Sequence, residues 1–139
     1  MAIVALDVGS KRIGVAIADP SKTFALPLTV IERTNLRDDV DRVGALLREH
    51  AAEDVVIGDP VTLAGERGPA TVPIDRFAER LTHVFAGRIH RVDERLTTAQ
   101  ATRTLIAADV RRARRRNVVD KMAAALILET FLARNVSRG

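Results

Sequence analysis

The sequence predicts an α/β domain: a mixed five-stranded sheet with helices on both faces. Three observations lead there. Three apolar, strand-like runs follow one another at the N-terminus, over residues 2–8, 13–19 and 24–32. Downstream, helix-period segments alternate with short β-branched runs. The chain then closes on two helical segments, giving the order β-β-β-α-β-α-β-α-α. The first three strands should pair antiparallel and the later ones parallel. At 139 residues the chain is expected to be one domain over 1–139, large enough to enclose a core.

Each element has a local cause. Residues 2–8 and 13–19 flank Gly9-Ser10-Lys11-Arg12, which reads as a hairpin turn. The third run, Phe24 to Glu32, follows the turn signal Asp19-Pro20-Ser21. Asn35 can cap the first helix, in which Leu36, Val40, Val43 and Leu47 recur at helical spacing. Val55-Val56-Ile57 is short, apolar and β-branched, as an interior parallel strand should be. A Gly/Pro-rich loop from Asp59 to Pro69 leads to a second helix carrying Ile74, Phe77, Ala78, Leu81 and Phe85. Arg88 to Val92 is more polar and suits an edge strand. Thr97 and Gln100 form a capping box for the next helix, with Leu96 able to staple onto Ala101. After the basic run Arg111 to Arg116, the last helix is expected to bury Val119, Met122, Ala123, Leu126, Ile127 and Thr130.

Composition excludes several functions. An apolar fraction of 47% indicates a globular chain. With no cysteine, disulfides, thiolate catalysis and cysteine-ligated zinc are ruled out, and a cytoplasmic location is expected. No signal peptide is visible at the N-terminus, and no apolar run approaches the roughly 20 residues that span a bilayer, so no membrane partner is expected. The net charge is +4 and the pI near 10.6. Among the cations only Lys11, Lys22 and Lys121 are lysines. A basic, arginine-weighted chain favours polyanions, although an arginine-biased genome would give the same excess. The aromatics are Phe24, Phe77, Phe85 and Phe131, too few for a base-stacking surface. Nucleic acid would therefore be held through phosphates and shape.

Three carboxylates carry the chemistry. Asp7 lies within the apolar run Ala2 to Val8, Glu94 follows the strand-like run ending at Val92, and Asp120 stands near the start of the last helix. A carboxylate inside an apolar strand is costly to bury without a cationic partner. Three acids converging from separate elements make a hard-oxygen site of the kind Mg²⁺ or Mn²⁺ occupies. Each acid also has a plainer reading. Asp7 could cap the hairpin, Glu94 could pair on the surface with Arg95 or Arg91, and Asp120 could sit at N3 of a helix capped by Asn117. The triple alanine Ala123-Ala124-Ala125 would let the last helix approach the sheet and bring Asp120 over the strand of Asp7. Lys11, Arg12, Arg95 and the run Arg111, Arg112, Arg114, Arg115 and Arg116 are candidate phosphate contacts; the run could equally be a solvated loop. His50, His83 and His90 show no ligand spacing.

Four motifs in this order resemble one family. They are Leu6-Asp7-Val8-Gly9-Ser10-Lys11-Arg12-Ile13-Gly14-Val15-Ala16, Val55-Val56-Ile57-Gly58-Asp59-Pro60 with Gly65, Gly68 and Pro69, Asp93-Glu94-Arg95-Leu96-Thr97-Thr98, and Val119-Asp120-Lys121-Met122 running on to Leu128. Together they are similar to the bacterial YqgF/RuvX family over essentially the whole chain. The resemblance implies a ribonuclease H-like fold related to Holliday junction resolvases. It also implies nuclease activity on branched DNA or on the 5′ end of precursor 16S rRNA, with Asp7, Glu94 and Asp120 as the acidic site. On that reading Asp7 bridges two divalent ions about 3.5–4 Å apart, one activating water and one stabilising the leaving oxygen. Cutting two symmetric strands at once would need two sites and hence a homodimer; cutting an RNA end would not. One departure is Asp59, where the family usually has leucine; it is either a fourth metal contact or, as favoured here, a turn residue before Pro60. Leu6-Asp7-Val8-Gly9 also resembles the first phosphate loop of actin-like ATPases, but those need two lobes and this chain has room for one. A non-catalytic binding or ribosome-assembly factor on the same fold is the other rival.

Overall fold

The computed structural model describes residues 2–18, 25–59, 71–93 and 122–133. Five strands form one sheet: β1 (Ala2–Val8), β2 (Arg12–Ala18), β3 (Ala25–Glu32), β4 (Ala52–Asp59) and β5 (Arg88–Asp93). Their spatial order is β3-β2-β1-β4-β5. β1 to β3 pair antiparallel, and β4 pairs parallel with both β1 and β5. This is the expected mixed sheet, with β5 on an edge.

Alternation along β1 decides what each face carries. Val4 and Leu6 point into one core with Val15, Val55 and Ile57, closed by α1 (Leu36–Glu49) and α2 (Thr71–Leu81). Ile3 and Ala5 point into a second core with Ala16, Val56 and Val92, closed by a helix over 122–133, here α3. A two-residue period thus builds two separate cores from one strand.

The helix boundaries follow from local chemistry. The Asn35 side chain accepts the Asp38 amide at 2.9 Å, so Asn35 caps α1 as its sequence suggests. Asp38 and Asp39 lie in the first turn and Arg48 in the last, each favourable to the helix dipole. α2 ends at Leu81, short of the expected Phe85: the Val84 and Phe85 amides both bond to the Leu81 carbonyl, turning the chain while Phe85 stays in the core. Ala51, between α1 and β4, has φ 52°.

The buried face of α3 differs from expectation. Met122 is 36% exposed, and Leu126 and Thr130 are only partly buried. Ala123 and Ile127 are buried as expected, and Ala124, Ala125, Leu128, Phe131 and Leu132 complete the buried face. Leucine, isoleucine and phenylalanine at 127, 128, 131 and 132 set the phase, and the alanines pass beneath them without steric demand. The expected helix after Thr97 and the residue Val119 lie outside the described residues.

Candidate functional site

Asp7 is the penultimate residue of β1, and its parity matches Ile3 and Ala5, so its side chain belongs to the face that α3 covers. It is partly buried. Both of its strand neighbours on that face lack side chains. Asp7 pairs with Gly14 of β2, and Leu6 pairs with Ile57, which places Gly58 next along β4. The carboxylate therefore has glycines as its strand neighbours on both sides, at the edge where β1, β4 and β5 all end. Such strand ends are where ligands gather in α/β sheets. Gly14 was legible in the sequence as backbone space; Gly58 was not, and its signal is the break in the run Val55-Val56-Ile57.

The other two acids, Glu94 and Asp120, lie outside the described residues. Asp93 is the last residue of β5, and α3 is described from Met122. β5 ends beside β4, and α3 packs on Ala5 and Ala16. The candidate cations Arg95, Arg111, Arg112, Arg114, Arg115 and Arg116 also lie outside the described residues.

Asp59 faces away from Asp7. It shares the parity of Val55 and Ile57, on the side of α1 and α2. There Arg91 bridges it to α2: Nη2 donates to Asp59 at 3.0 Å and Nη1 to Asp75 at 2.9 Å. Asp59 is thus a strand-end partner of Arg91, neither a turn residue nor placed to join a site on the face of Asp7. Arg91, its fork held by these two acids, is equally turned away from the Asp7 face.

The turn between β1 and β2 carries the two described cations of the candidate set. Lys11 is exposed. Arg12 is only 16% exposed at its side chain and lies 3.6 Å from Glu32, so its charge is partly answered within the sheet. Two residues that the sequence reading did not single out fix this turn. Arg33 donates from Nη1 to the Gly9 carbonyl at 2.8 Å and from Nε to Asp39 at 3.0 Å, and its own amide bonds to the Lys11 carbonyl. Asp39, 1% exposed, also accepts from the Thr34 amide and from Arg42, each at 3.0 Å. Burial pushes the Asp39 carboxyl up, but the Thr34 amide and the two guanidiniums outweigh it and hold it below its ordinary 3.8. The signal for Asp39 was available: an acid on the apolar side of α1, between Leu36 and Val40.

At the opposite end of the sheet Asp54 takes two bonds from Arg88, at 2.7 and 3.1 Å, and one contact with His90 at 2.9 Å. Hydrogen bonding to Arg88 is the main cause that keeps Asp54 below its ordinary 3.8. The His90 ring lies 4.7 Å from that of Phe131, tying β5 to α3 in a packing role. Among the described residues no three histidines or acids come together as a metal cluster, and no helix is long and apolar enough to cross a membrane.

Comparison with known proteins is consistent across sequence and fold. Residues 1–134 match the family model RuvX, described as Holliday junction resolvase. A protein of Thermoanaerobacter pseudethanolicus named "Putative pre-16S rRNA nuclease" is 44% identical over 133 residues, covering 95% of this chain and 96% of that one. A protein of the same name from Moorella thermoacetica is 42% identical over 134 residues, with 96% of each chain covered. Among solved structures, Thermus thermophilus RuvC in complex with a Holliday junction substrate superposes with a TM-score of 0.59 at 13% identity, covering 98% of this chain and 96% of that one. The fowlpox virus Holliday junction resolvase gives 0.55 at 13% identity, covering 96% and 99%. At these identities the two structures speak for the fold, which is that of the ribonuclease H-like resolvases.

Proposed function

We infer that this chain, which belongs to the RuvX family, is a nuclease that hydrolyses phosphodiester bonds in structured nucleic acid with the help of a divalent metal. The observation that carries the site is the placement of Asp7. It stands at the strand-end edge of the sheet, on the α3 face, with Gly14 and Gly58 as its strand neighbours. A carboxylate is the hard-oxygen ligand that a divalent cation of this kind takes. Asp7, Glu94 and Asp120 would hold Mg²⁺ or Mn²⁺.

The metal, when bound, supplies a hydroxide at neutral pH and neutralises charge on the departing oxygen. The chain's own groups do the rest. Asp7 fixes the reacting centre to the central strand of the sheet, flanked by β2 and β4. Lys11, exposed at the turn two residues beyond Gly9, would meet a phosphate of the substrate. Arg12 adds to that contact only to the extent that Glu32 releases it. Arg95 and the run Arg111, Arg112, Arg114, Arg115 and Arg116 would carry further phosphate contacts. We place the activity in one domain over 1–139, working in the cytoplasm.

The substrates named for the family model and for the relatives differ, one being a four-way junction and the other precursor rRNA. A junction cut symmetrically calls for a homodimer and an RNA end does not. The test is cleavage of a four-way DNA junction and of a 5′-extended 16S rRNA precursor side by side, with Mn²⁺ and with EDTA. Cleavage of at least one, abolished by EDTA, is expected. Tight binding of both with cleavage of neither would make the chain a binding factor on a nuclease fold.

A further inference from the structure

We propose that Arg33, anchored by the buried carboxylate of Asp39, is a positioning residue for Asp7. The proposal rests on Asp7 being part of the hydrolytic site. Its starting point is a buried charge with several partners. Asp39 is 1% exposed and sits on the apolar side of α1. Buried ion pairs can often be replaced by apolar groups without loss of stability. What an apolar pair could not do is reach the end of β1.

Arg33 does reach it. Its Nη1 donates to the Gly9 carbonyl at 2.8 Å, two residues from Asp7. Its backbone amide donates to the Lys11 carbonyl at 2.9 Å. One residue just past β3 therefore holds both sides of the turn that joins β1 to β2. The turn itself is closed by the Gly9 amide on the Arg12 carbonyl at 2.9 Å, and a Cβ at Gly9 would come as near to that oxygen. Arg33 has little freedom of its own. Asp39 takes its Nε at 3.0 Å, and its guanidinium carbon lies 5.9 Å from the centre of the Phe77 ring. Asp39 in turn is fixed by the Thr34 amide and by Arg42, which also donates to the Glu32 carbonyl at 2.6 Å.

The chain of contacts thus runs from α1 through Arg33 to the turn, on the face of the sheet opposite Asp7. Asp7 pairs with Gly14 one step before the ladder with β2 reaches its last pair, Val8 and Ile13. The clamp adds a side-chain hydrogen bond to the turn that closes this ladder. Misplacement of a reacting group by about 1 Å costs on the order of a hundredfold in rate.

The test compares wild type with Arg33→Met, Asp7→Asn and Val43→Ala, the last a buried α1 variant that lowers stability without touching the turn. Arg33→Met keeps an unbranched stem over Phe77 and removes both side-chain hydrogen bonds. We expect its cleavage rate at saturating substrate and Mn²⁺ to fall about ten- to a hundredfold with little change in KM. We also expect its Gly9 amide to exchange faster than the β4 amides, and its Mn²⁺-induced rise in melting temperature to shrink. Val43→Ala should keep its rate wherever it is folded. Should Arg33→Met fail to fold, Arg33→Lys carries the same comparison, because one ammonium cannot reproduce both the Nε and the Nη1 bond. Unchanged rate and exchange in the Arg33 variant, beside an inactive Asp7→Asn, would overturn the positioning role and leave the site standing. Equal loss of rate in Val43→Ala would reduce the clamp to general stability. An active Asp7→Asn would remove the site reading and the clamp's purpose together.

Discussion

The close approach of α3 to the sheet can be tested through the sign of a stability change. Ala124 is fully buried, in one packed layer with Ala5 and Ala16, which are also fully buried. Ala124→Leu adds three carbons to that layer. Were there room, their burial at about 0.8 kcal/mol each would stabilise the protein by about 2 kcal/mol. If the alanines touch as the structure has them, the added volume must push α3 off β1 or force strained rotamers, which costs about 1–3 kcal/mol. The two cases differ by some 3–5 kcal/mol on these figures, far above the error of a urea titration. Met122→Leu, at an exposed position of the same helix, should change stability by less than about 0.5 kcal/mol. We expect Ala124→Leu to lower the urea midpoint clearly while Met122→Leu leaves it in place. An unchanged or raised midpoint in Ala124→Leu would refute the tight helix–sheet contact.

Asp39→Asn leaves Arg33 without its charge partner and should cost on the order of 3 kcal/mol at pH 7 by urea unfolding. Because the folded carboxyl of Asp39 lies below its ordinary 3.8, its contribution is present above that pH and fades as pH falls through the folded value. The gap between wild type and variant should therefore narrow below about pH 4, and a constant gap down to pH 2 would show that Asp39 is not held as a charge. Ala51→Gly should raise the melting temperature by a few degrees, since a non-glycine residue in the left-handed region costs about 1–2 kcal/mol and glycine returns part of that as chain entropy. Asp120→Asn distinguishes ligand from cap: loss of a cap costs on the order of 1 kcal/mol, whereas loss of one of three clustered acids relieves repulsion in the metal-free protein. Apo stability that is unchanged or raised, with cleavage down at least about a hundredfold, is the expected result; a destabilised variant that still cuts would make Asp120 a cap.

The sheet was legible because its strands are contiguous apolar runs and its turns carry glycine, proline or asparagine. Val55-Val56-Ile57 read as an interior parallel strand because no polar face interrupts it, and β4 does lie between β1 and β5. The face of α3 was not legible, since three consecutive alanines carry no period and only Ile127, Leu128, Phe131 and Leu132 set the phase. Asp59 could not be placed on one face or the other until β4 was seen to extend to it. The Arg33–Asp39 pair depends on the end of β3 meeting the start of α1 beside a turn 24 residues earlier. That is a tertiary coincidence that local pattern does not encode, although an acid among Leu36, Val40 and Val43 marks the position.

The central claim is that Asp7 is part of a metal-assisted hydrolytic site, and the most direct measurement is a paired titration of wild type and Asp7→Asn with Mn²⁺. Melting temperature and cleavage of the preferred substrate are read in the same samples. Grouped carboxylates repel one another until a cation binds, so binding stabilises the protein in proportion to occupancy. Mn²⁺ is expected to raise the melting temperature of wild type and switch on cleavage, whereas Asp7→Asn should fold, bind nucleic acid, gain less from Mn²⁺ and not cut. Equal Mn²⁺ shifts in both proteins, with Asp7→Asn cutting at the wild-type rate, would contradict it.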